Sequence, residues 1–207
     1  DISKTLTPVG TVTDGNSGNN YSYTFVNNTT GVITVLHITG NFTANNKVYD
    51  GNNTATVASR SLNNVVGLDD VTLSGGTATF DDENVANGKT VTLVGATLSG
   101  SASGNYILDS VSTTTANITK APLTITAVDN TKVYGTANPI LTANYAGFVN
   151  SETSSVLSTP ISLATTADTT TGVGSVAITA SNAVGANYNI SFVPGTLTIT
   201  IKPVTVT

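Results

Sequence analysis

Thr196-Leu197-Thr198-Ile199-Thr200-Ile201 alternates hydroxyl and apolar side chains without a fault. Side chains of an extended chain point to opposite faces in turn, so this alternation predicts a strand with one face buried. The same pattern occurs in Leu123-Thr124-Ile125-Thr126, Val91-Thr92-Leu93, Thr77-Ala78-Thr79-Phe80 and Tyr21-Ser22-Tyr23-Thr24-Phe25. Turn-forming clusters separate these runs: Asp14 to Asn20, Asp50-Gly51-Asn52-Asn53, Ser74-Gly75-Gly76, Asn87-Gly88 and Ser103-Gly104-Asn105. Gly and Asn accept the positive φ that tight turns require. Short strands at regular spacing predict an all-β fold, with a hairpin around Ser74-Gly75-Gly76. Val149 to Leu157 breaks the alternation; one or two helical turns are expected there, capped by Asn150 with Glu152 at the positive end.

The alternating runs recur at a fixed distance. Lys47-Val48-Tyr49-Asp50-Gly51 returns as Lys132-Val133-Tyr134-Gly135, with Tyr49 and Tyr134 85 residues apart. Gly18-Asn19-Asn20-Tyr21 returns as Gly104-Asn105-Tyr106 and again as Gly185-Ala186-Asn187-Tyr188, at intervals of 85 and 82. Two independent markers with one period indicate tandem modules. The expected plan is the C-terminal part of a module over residues 1–36, complete modules over 37–119 and 120–201, and the start of a further module over 202–207. The joint Ile118-Thr119-Lys120-Ala121-Pro122-Leu123 contains one Pro and no Gly. Pro keeps its neighbourhood extended, so the joint is expected to be short and stiff. The modules are expected to be sandwich-like (Ig-like) and arranged in an extended array. A β-grasp-like module with one short helix is the alternative. The segment before residue 37 is expected to be disordered, to dock on the next module, or to complete a sheet from another copy.

Composition narrows the function. Of 207 residues only 9% are charged, the net charge is −5, and roughly a fifth are Thr. The acidic balance and the absence of a basic stripe argue against nucleic acid. No apolar run reaches the ~18 residues of a membrane span. The chain has no Cys, no Met and one His, His37. Groups that titrate near neutrality are therefore nearly missing, and no enzyme activity is expected. His37 is expected as a packed or half-exposed strand residue. The densest acidic group, Asp69 and Asp70 with Asp81, Asp82 and Glu83, is the candidate calcium site if a hairpin brings the clusters together. Solvated turn carboxylates are the competing reading, no cofactor is otherwise expected, and any ligand-binding residues are left unassigned. The recurring tyrosines are expected in the cores with their hydroxyls bonded at the rim. Lys47 and Lys132 are read as guards of strand edges, against the alternative of a side-chain amide cross-link to a nearby Asn.

These motifs carry a resemblance. Residues 47–119 (KVYDGNNTATV, GLDDVTLSGGTATFDDENVANGKTVTLVGATLSGSASGNYIL and ITKAPLTIT) resemble the YDG repeat of large bacterial surface proteins. Residues 123–201 (LTITAVDNTKVYGTANPILTANYAGFVNSETSSVL and VGSVAITASNAVGANYNISFVPGTLTIT) resemble the MBG repeat, and GNNYSYTF extends the likeness into the first segment. Parents of such repeats are similar to filamentous-haemagglutinin-like adhesins. The resemblance implies a stalk segment at the bacterial cell surface, outside the cell, which holds an adhesive or motility contact away from it. The alternative it allows is a repeat that itself binds a surface glycan or protein. It implies neighbouring modules of the same chain as partners and an unknown surface ligand for the parent, with no nucleic acid and no membrane insertion. It supplies no catalytic residue.

Overall fold

A computed structural model describes residues 3–206 and is all-β. The strands are β1 (Ser3–Leu6), β2 (Asn28–Val32), β3 (Leu36–Ala44), β4 (Lys47–Val48), β5 (Thr54–Ala55), β6 (Val57–Asn63), β7 (Thr72–Phe80), β8 (Ala86–Ser99), β9 (Tyr106–Val111), β10 (Thr114–Thr119), β11 (Ala121–Ala127), β12 (Asn130–Val133), β13 (Ala143–Ala146), β14 (Ser162–Thr165), β15 (Gly174–Ser181), β16 (Tyr188–Val193) and β17 (Gly195–Thr200). No helix among the described residues is long and apolar enough to cross a membrane.

Each sheet draws on one stretch of sequence. Strands β3 to β10 form a sheet ordered β6-β3-β9 and another ordered β4-β10-β8-β7-β5. Strands β11 to β17 form β13-β11-β16 and β12-β17-β15-β14. Apart from β5, one order maps onto the other strand by strand, so the internal repeat is a repeat of topology. In both, the first two strands lie parallel to the last two: β3 with β9, β4 with β10, β11 with β16 and β12 with β17. In the later stretch the chain passes between the two sheets repeatedly, first after Ala127 and last at Pro194. Gly195 is required at the last of these changes, because a Cβ there would lie 2.5 Å from the Ala127 carbonyl oxygen.

By compactness the chain divides into two units. One holds the chain up to Asn41 with Arg60–Gly76 and Gly95–Ser112; the other holds Phe42–Ser59, Thr77–Val94 and the chain from Thr113 onward. In the first unit Ile38, Val71 and Tyr106 form a core backed by Leu62, Val65, Leu98 and Ala102. In the second, Ala127, Ala167, Ile178, Leu197 and Ile199 form a core drawn from both later sheets. Leu123 and Ile125 are fully buried beside β16. The alternation in Leu123 to Thr126 and Thr196 to Ile201 thus has its expected cause: the apolar face is the core face.

Three local expectations change. No hairpin forms at Ser74-Gly75-Gly76: β7 runs through these residues, with Gly75 and Gly76 at φ +65° and +80°. Tyr21 to Phe25 is not a strand, and Tyr21, Tyr23 and Phe25 are exposed. Its counterpart one period later, β9, is ordered by pairing with β3, and residues 21–25 have no such partner among the described residues. The only helical structure in Val149 to Leu157 is a single 3-10 turn, Ser154–Val156. Thr153 caps it, its side chain accepting from Ser155 N–H, while Asn150 and Ser151 sit before it in the left-handed region at φ +49° and +61°.

Within the first unit, β1 and β2 pair in the register that recurs between β8 and β10. Lys4 pairs with Gly31 as Lys89 pairs with Ala116, each 85 residues later. Lys4-Thr5-Leu6-Thr7-Pro8-Val9-Gly10 also matches Lys89-Thr90-Val91-Thr92-Leu93-Val94-Gly95. The hairpin nevertheless exposes what its counterpart buries: Leu6 is 58% exposed against 0% for Val91, and Ile33 69% against 1% for Ile118.

Candidate functional site

The most elaborated polar cluster lies in the second unit, where the Lys-Val-Tyr turn of the first module meets the second. Parallel pairing of β4 with β10 and a bond from Tyr49 N–H to the Thr119 carbonyl (2.8 Å) fix the backbone of Tyr49. The chain then turns at Gly51, φ +74°. Lys47 holds this turn from inside, with Nζ donating to Asp50 Oδ1 (2.7 Å) and to the Asn52 carbonyl (2.6 Å). Gly51 is needed twice, since a Cβ there would also fall 2.5 Å from Cβ of Asn150.

Tyr49 is buried, and its ring stands edge-on to Tyr188 at 5.6 Å between centroids. Phe148 packs edge-on to the same Tyr188 at 5.4 Å. Both phenols converge on one carboxylate. Tyr49 donates to Glu152 Oε1 at 2.6 Å, and Tyr188 donates to Glu152 Oε2. Val149 N–H donates to the Tyr188 hydroxyl (3.2 Å). Around this centre Asn150 Nδ2 donates to the Gly51 carbonyl (2.9 Å), Val85 N–H to Asn187 Oδ1 (3.0 Å), and Asn187 Nδ2 to Asn84 Oδ1 (3.1 Å). The left-handed residues Asn150 and Ser151 are what turn Glu152 toward the tyrosines. Sequence reasoning gave Glu152 a helix-terminal role. The available signal was its spacing: Val66-x-x-Asp69 recurs as Val149-x-x-Glu152, 83 residues on.

Burial, and then donation to Glu152, push the Tyr49 phenol up to about 12; the same two causes raise Tyr188. Below pH 10 the Tyr49 phenol is protonated in folded and unfolded chains alike, and its contribution to stability is complete. Between pH 10 and about 12 the unfolded chain releases the proton and the folded chain keeps it, so stability falls as pH rises. The expected result is a melting temperature that drops more steeply over this window in the wild type than in Tyr49→Phe. Parallel curves would remove Tyr49 from the alkaline transition.

The remaining sequence candidates are placed as follows. The acidic clusters flank opposite ends of β7 instead of meeting across a hairpin. Asp69 Oδ2 accepts from the Tyr106 hydroxyl (2.6 Å), and Asp70 Oδ2 from Ser101 N–H (2.8 Å), which lowers the Asp70 carboxyl. Asp81 and Asp82 bracket the buried Lys89 Nζ at 2.7 and 2.8 Å, and that ammonium holds both carboxyls below the usual range. Glu83 is exposed. Among the described residues no three His, Cys, Asp or Glu side chains gather in a metal-binding group. His37 is exposed on β3 with Nδ1 2.6 Å from Asp109 Oδ1. Lys132 is buried, and its Nζ donates to the Thr136 and Asp168 carbonyls and to Asn138 Oδ1. The two motif lysines lie on the edge strands β4 and β12, and their ammonium groups pin the loops that follow them. Tyr49, Tyr106 and Tyr188 are core tyrosines bonded at the rim, whereas Tyr21 and Tyr134 are exposed.

Residues 34–116 match the family model described as the YDG domain, and residues 123–198 match the model described as the MBG domain (YGX type). Neither the curated proteins nor the solved structures gave a match.

Proposed function

Because the chain is a YDG domain followed by an MBG domain of the YGX type, we propose that it is a non-enzymatic stalk segment of a large bacterial cell-surface adhesin. Its task is to keep successive modules in fixed register outside the cell, so that a contact carried elsewhere on the parent is held at a distance. Its immediate partners are its neighbouring modules, and it needs no cofactor. The observation that carries this reading is the joint. β10 ends at Thr119 and β11 begins at Ala121, leaving Lys120 alone between them. Lys120 is itself tied, through Nζ, to the Gly185 carbonyl (3.2 Å). A one-residue link with a shared carboxylate beside it leaves little freedom to bend, unlike the Gly- and Ser-rich tethers that let domains tumble.

Residual dipolar couplings test this directly. The expected result is that one alignment tensor fits the amides of β4, β10 and the Thr77–Val94 segment together with those of β11 to β17. The fit should be unchanged by a calcium chelator. Two independent tensors would refute the stiff joint, and a tensor that changes with chelator would refute the cofactor-free reading.

A further inference from the structure

Tyrosine is the side chain of this protein that gives up an electron most readily. The chain has no Cys or Met, whose sulfur ordinarily oxidises first, and no Trp, but it has seven Tyr. Four aromatic ring pairs form among the described residues: Tyr23 with Phe25, Tyr145 with Phe148, Phe148 with Tyr188, and Tyr49 with Tyr188. Only the last brings two tyrosines together. Its members come from different modules, and both are buried, Tyr49 being 5% and Tyr188 3% exposed.

The pair is also joined at its hydroxyl ends. Tyr49 and Tyr188 donate to the two oxygens of one carboxylate, Glu152. In a phenol the ortho carbons flank the carbon that bears the hydroxyl. Hydroxyls drawn to one carboxylate therefore bring ortho carbons of the two rings toward each other. The same hydrogen bonds set the route for protons. A phenol oxidises readily only when its proton leaves with the electron, and Glu152 is the acceptor already in place. Electrons have a route as well. Half-buried Tyr145 continues the ring series through Phe148 to Tyr188, at centroid steps of 5.6 and 5.4 Å, so an oxidant at the surface need not enter the core.

We propose that Tyr49 and Tyr188 are a site of oxidative cross-linking, at which a one-electron oxidant of the peroxidase-intermediate or metal-complex class joins the YDG and MBG domains through a dityrosine bond. Two equivalents of oxidant take one electron from each phenol. The two phenolic protons leave through Glu152 to solvent, one at a time. The two phenoxyl radicals form one carbon–carbon bond between ortho carbons. The hydrogens displaced from those carbons move to the oxygens and restore both hydroxyls. The product is lighter than the starting chain by two hydrogen atoms, and Glu152 is unchanged. The inference concerns the joint alone and does not depend on where the parent protein is displayed.

The test uses the unmodified chain, dilute enough to keep molecules apart, with photo-excited tris(bipyridyl)ruthenium and persulfate as the one-electron oxidant. The expected result is dityrosine fluorescence and, after digestion, a peptide pair joined through Tyr49 and Tyr188. That pair should be about tenfold more abundant than any other Tyr–Tyr product, because prearranged reactants outrun chance encounters. Tyr49→Phe should lose this product, whereas Tyr134→Phe should keep it. Glu152→Gln should slow its formation about tenfold or more, since a positioned proton acceptor is ordinarily worth roughly a hundredfold or more in rate. Dityrosine mapped to other pairs, or found only between chains, would overturn the proposal, and so would an unchanged rate in Glu152→Gln. If Glu152→Gln does not fold, the unmodified chain decides in heavy water. Cross-linking should slow there about twofold, because the proton moves in the rate-setting step, and an equal rate would overturn the proposal as well.

Discussion

Glu152→Ala lowers the unfolding free energy of the MBG domain and its joint by about 3–4 kcal/mol, the sum of two hydrogen bonds to a charged acceptor at roughly 1.5–2 kcal/mol each. Both donors, Tyr49 and Tyr188, are buried and keep their hydroxyls after the substitution, so the loss includes two phenols without their acceptor. For a chain of this length that corresponds to a fall of roughly 10 °C in melting temperature. Glu152→Gln, which keeps the shape and one acceptor but removes the charge, should lose about half as much. The joint reading makes a sharper demand of a double-mutant cycle. Tyr49→Phe and Glu152→Gln should be coupled by about 1 kcal/mol or more, because the two residues come from different modules and meet only there. A Glu152→Ala protein within about 0.5 kcal/mol of the wild type, the range of neutral surface changes, would sink the account of the joint.

Lys132→Met should cost about 3 kcal/mol, through acceptors left without a donor and not through lost charge pairing. The Lys132 ammonium is buried and donates to the Thr136 and Asp168 carbonyls and to Asn138 Oδ1. Asn138 in turn donates to the Ala167 carbonyl (2.6 Å). Asp168 closes its own loop on Thr170 and Thr171, which hold its carboxyl down at about 2. The substitution therefore unties two loops from one point, and amide exchange should quicken in both 134–138 and 167–171. The equivalent change at Lys47 is the control. Lys47 carries a formal ion pair to Asp50, but Asp50 is half exposed, and solvent reclaims most of what is lost. Lys47→Met should cost only about 1 kcal/mol, near the upper end for exposed pairs. An equal or larger cost at Lys47 would show that ion pairing, and not burial of the donor, governs these loops.

The sequence was most readable where a single face decides the residue. Thr196 to Ile201 alternates because β17 has one face in the core, and Ile199 and Leu197 are there as expected. The period of 85 was readable because Tyr49 and Tyr134 occupy the same backbone setting, although only one of them is buried. What failed was anything that depends on a partner strand or on direction. Ser74-Gly75-Gly76 has the composition of a hairpin turn, yet its glycines serve a strand that continues. Residues 21–25 alternate as well as β17 does, but no strand among the described residues pairs with them, and alternation alone does not make a sheet. The hairpin that would have brought Asp69 and Asp70 to Asp81, Asp82 and Glu83 does not form, and Asp81 and Asp82 pair with Lys89 instead. Glu152 was hidden for another reason: its role depends on two left-handed residues, Asn150 and Ser151, neither of them Gly.

The parallel pairing of the first two strands with the last two in each domain has a mechanical consequence. Tension on the MBG domain enters at the start of β11 and leaves at the end of β17. β11 is bonded alongside β16 from Ala121 to Thr126, and β12 alongside β17 from Asn130 to Val133. Strands that run the same way and are pulled from opposite ends slide along each other, so their ladder bonds carry the load together and break together. An antiparallel hairpin pulled at its two open ends unzips one bond at a time. The YDG domain repeats the arrangement with β3 beside β9 and β4 beside β10. Pulling along the chain thus meets a clamp in each domain, and the weakest bond does not set the rupture force.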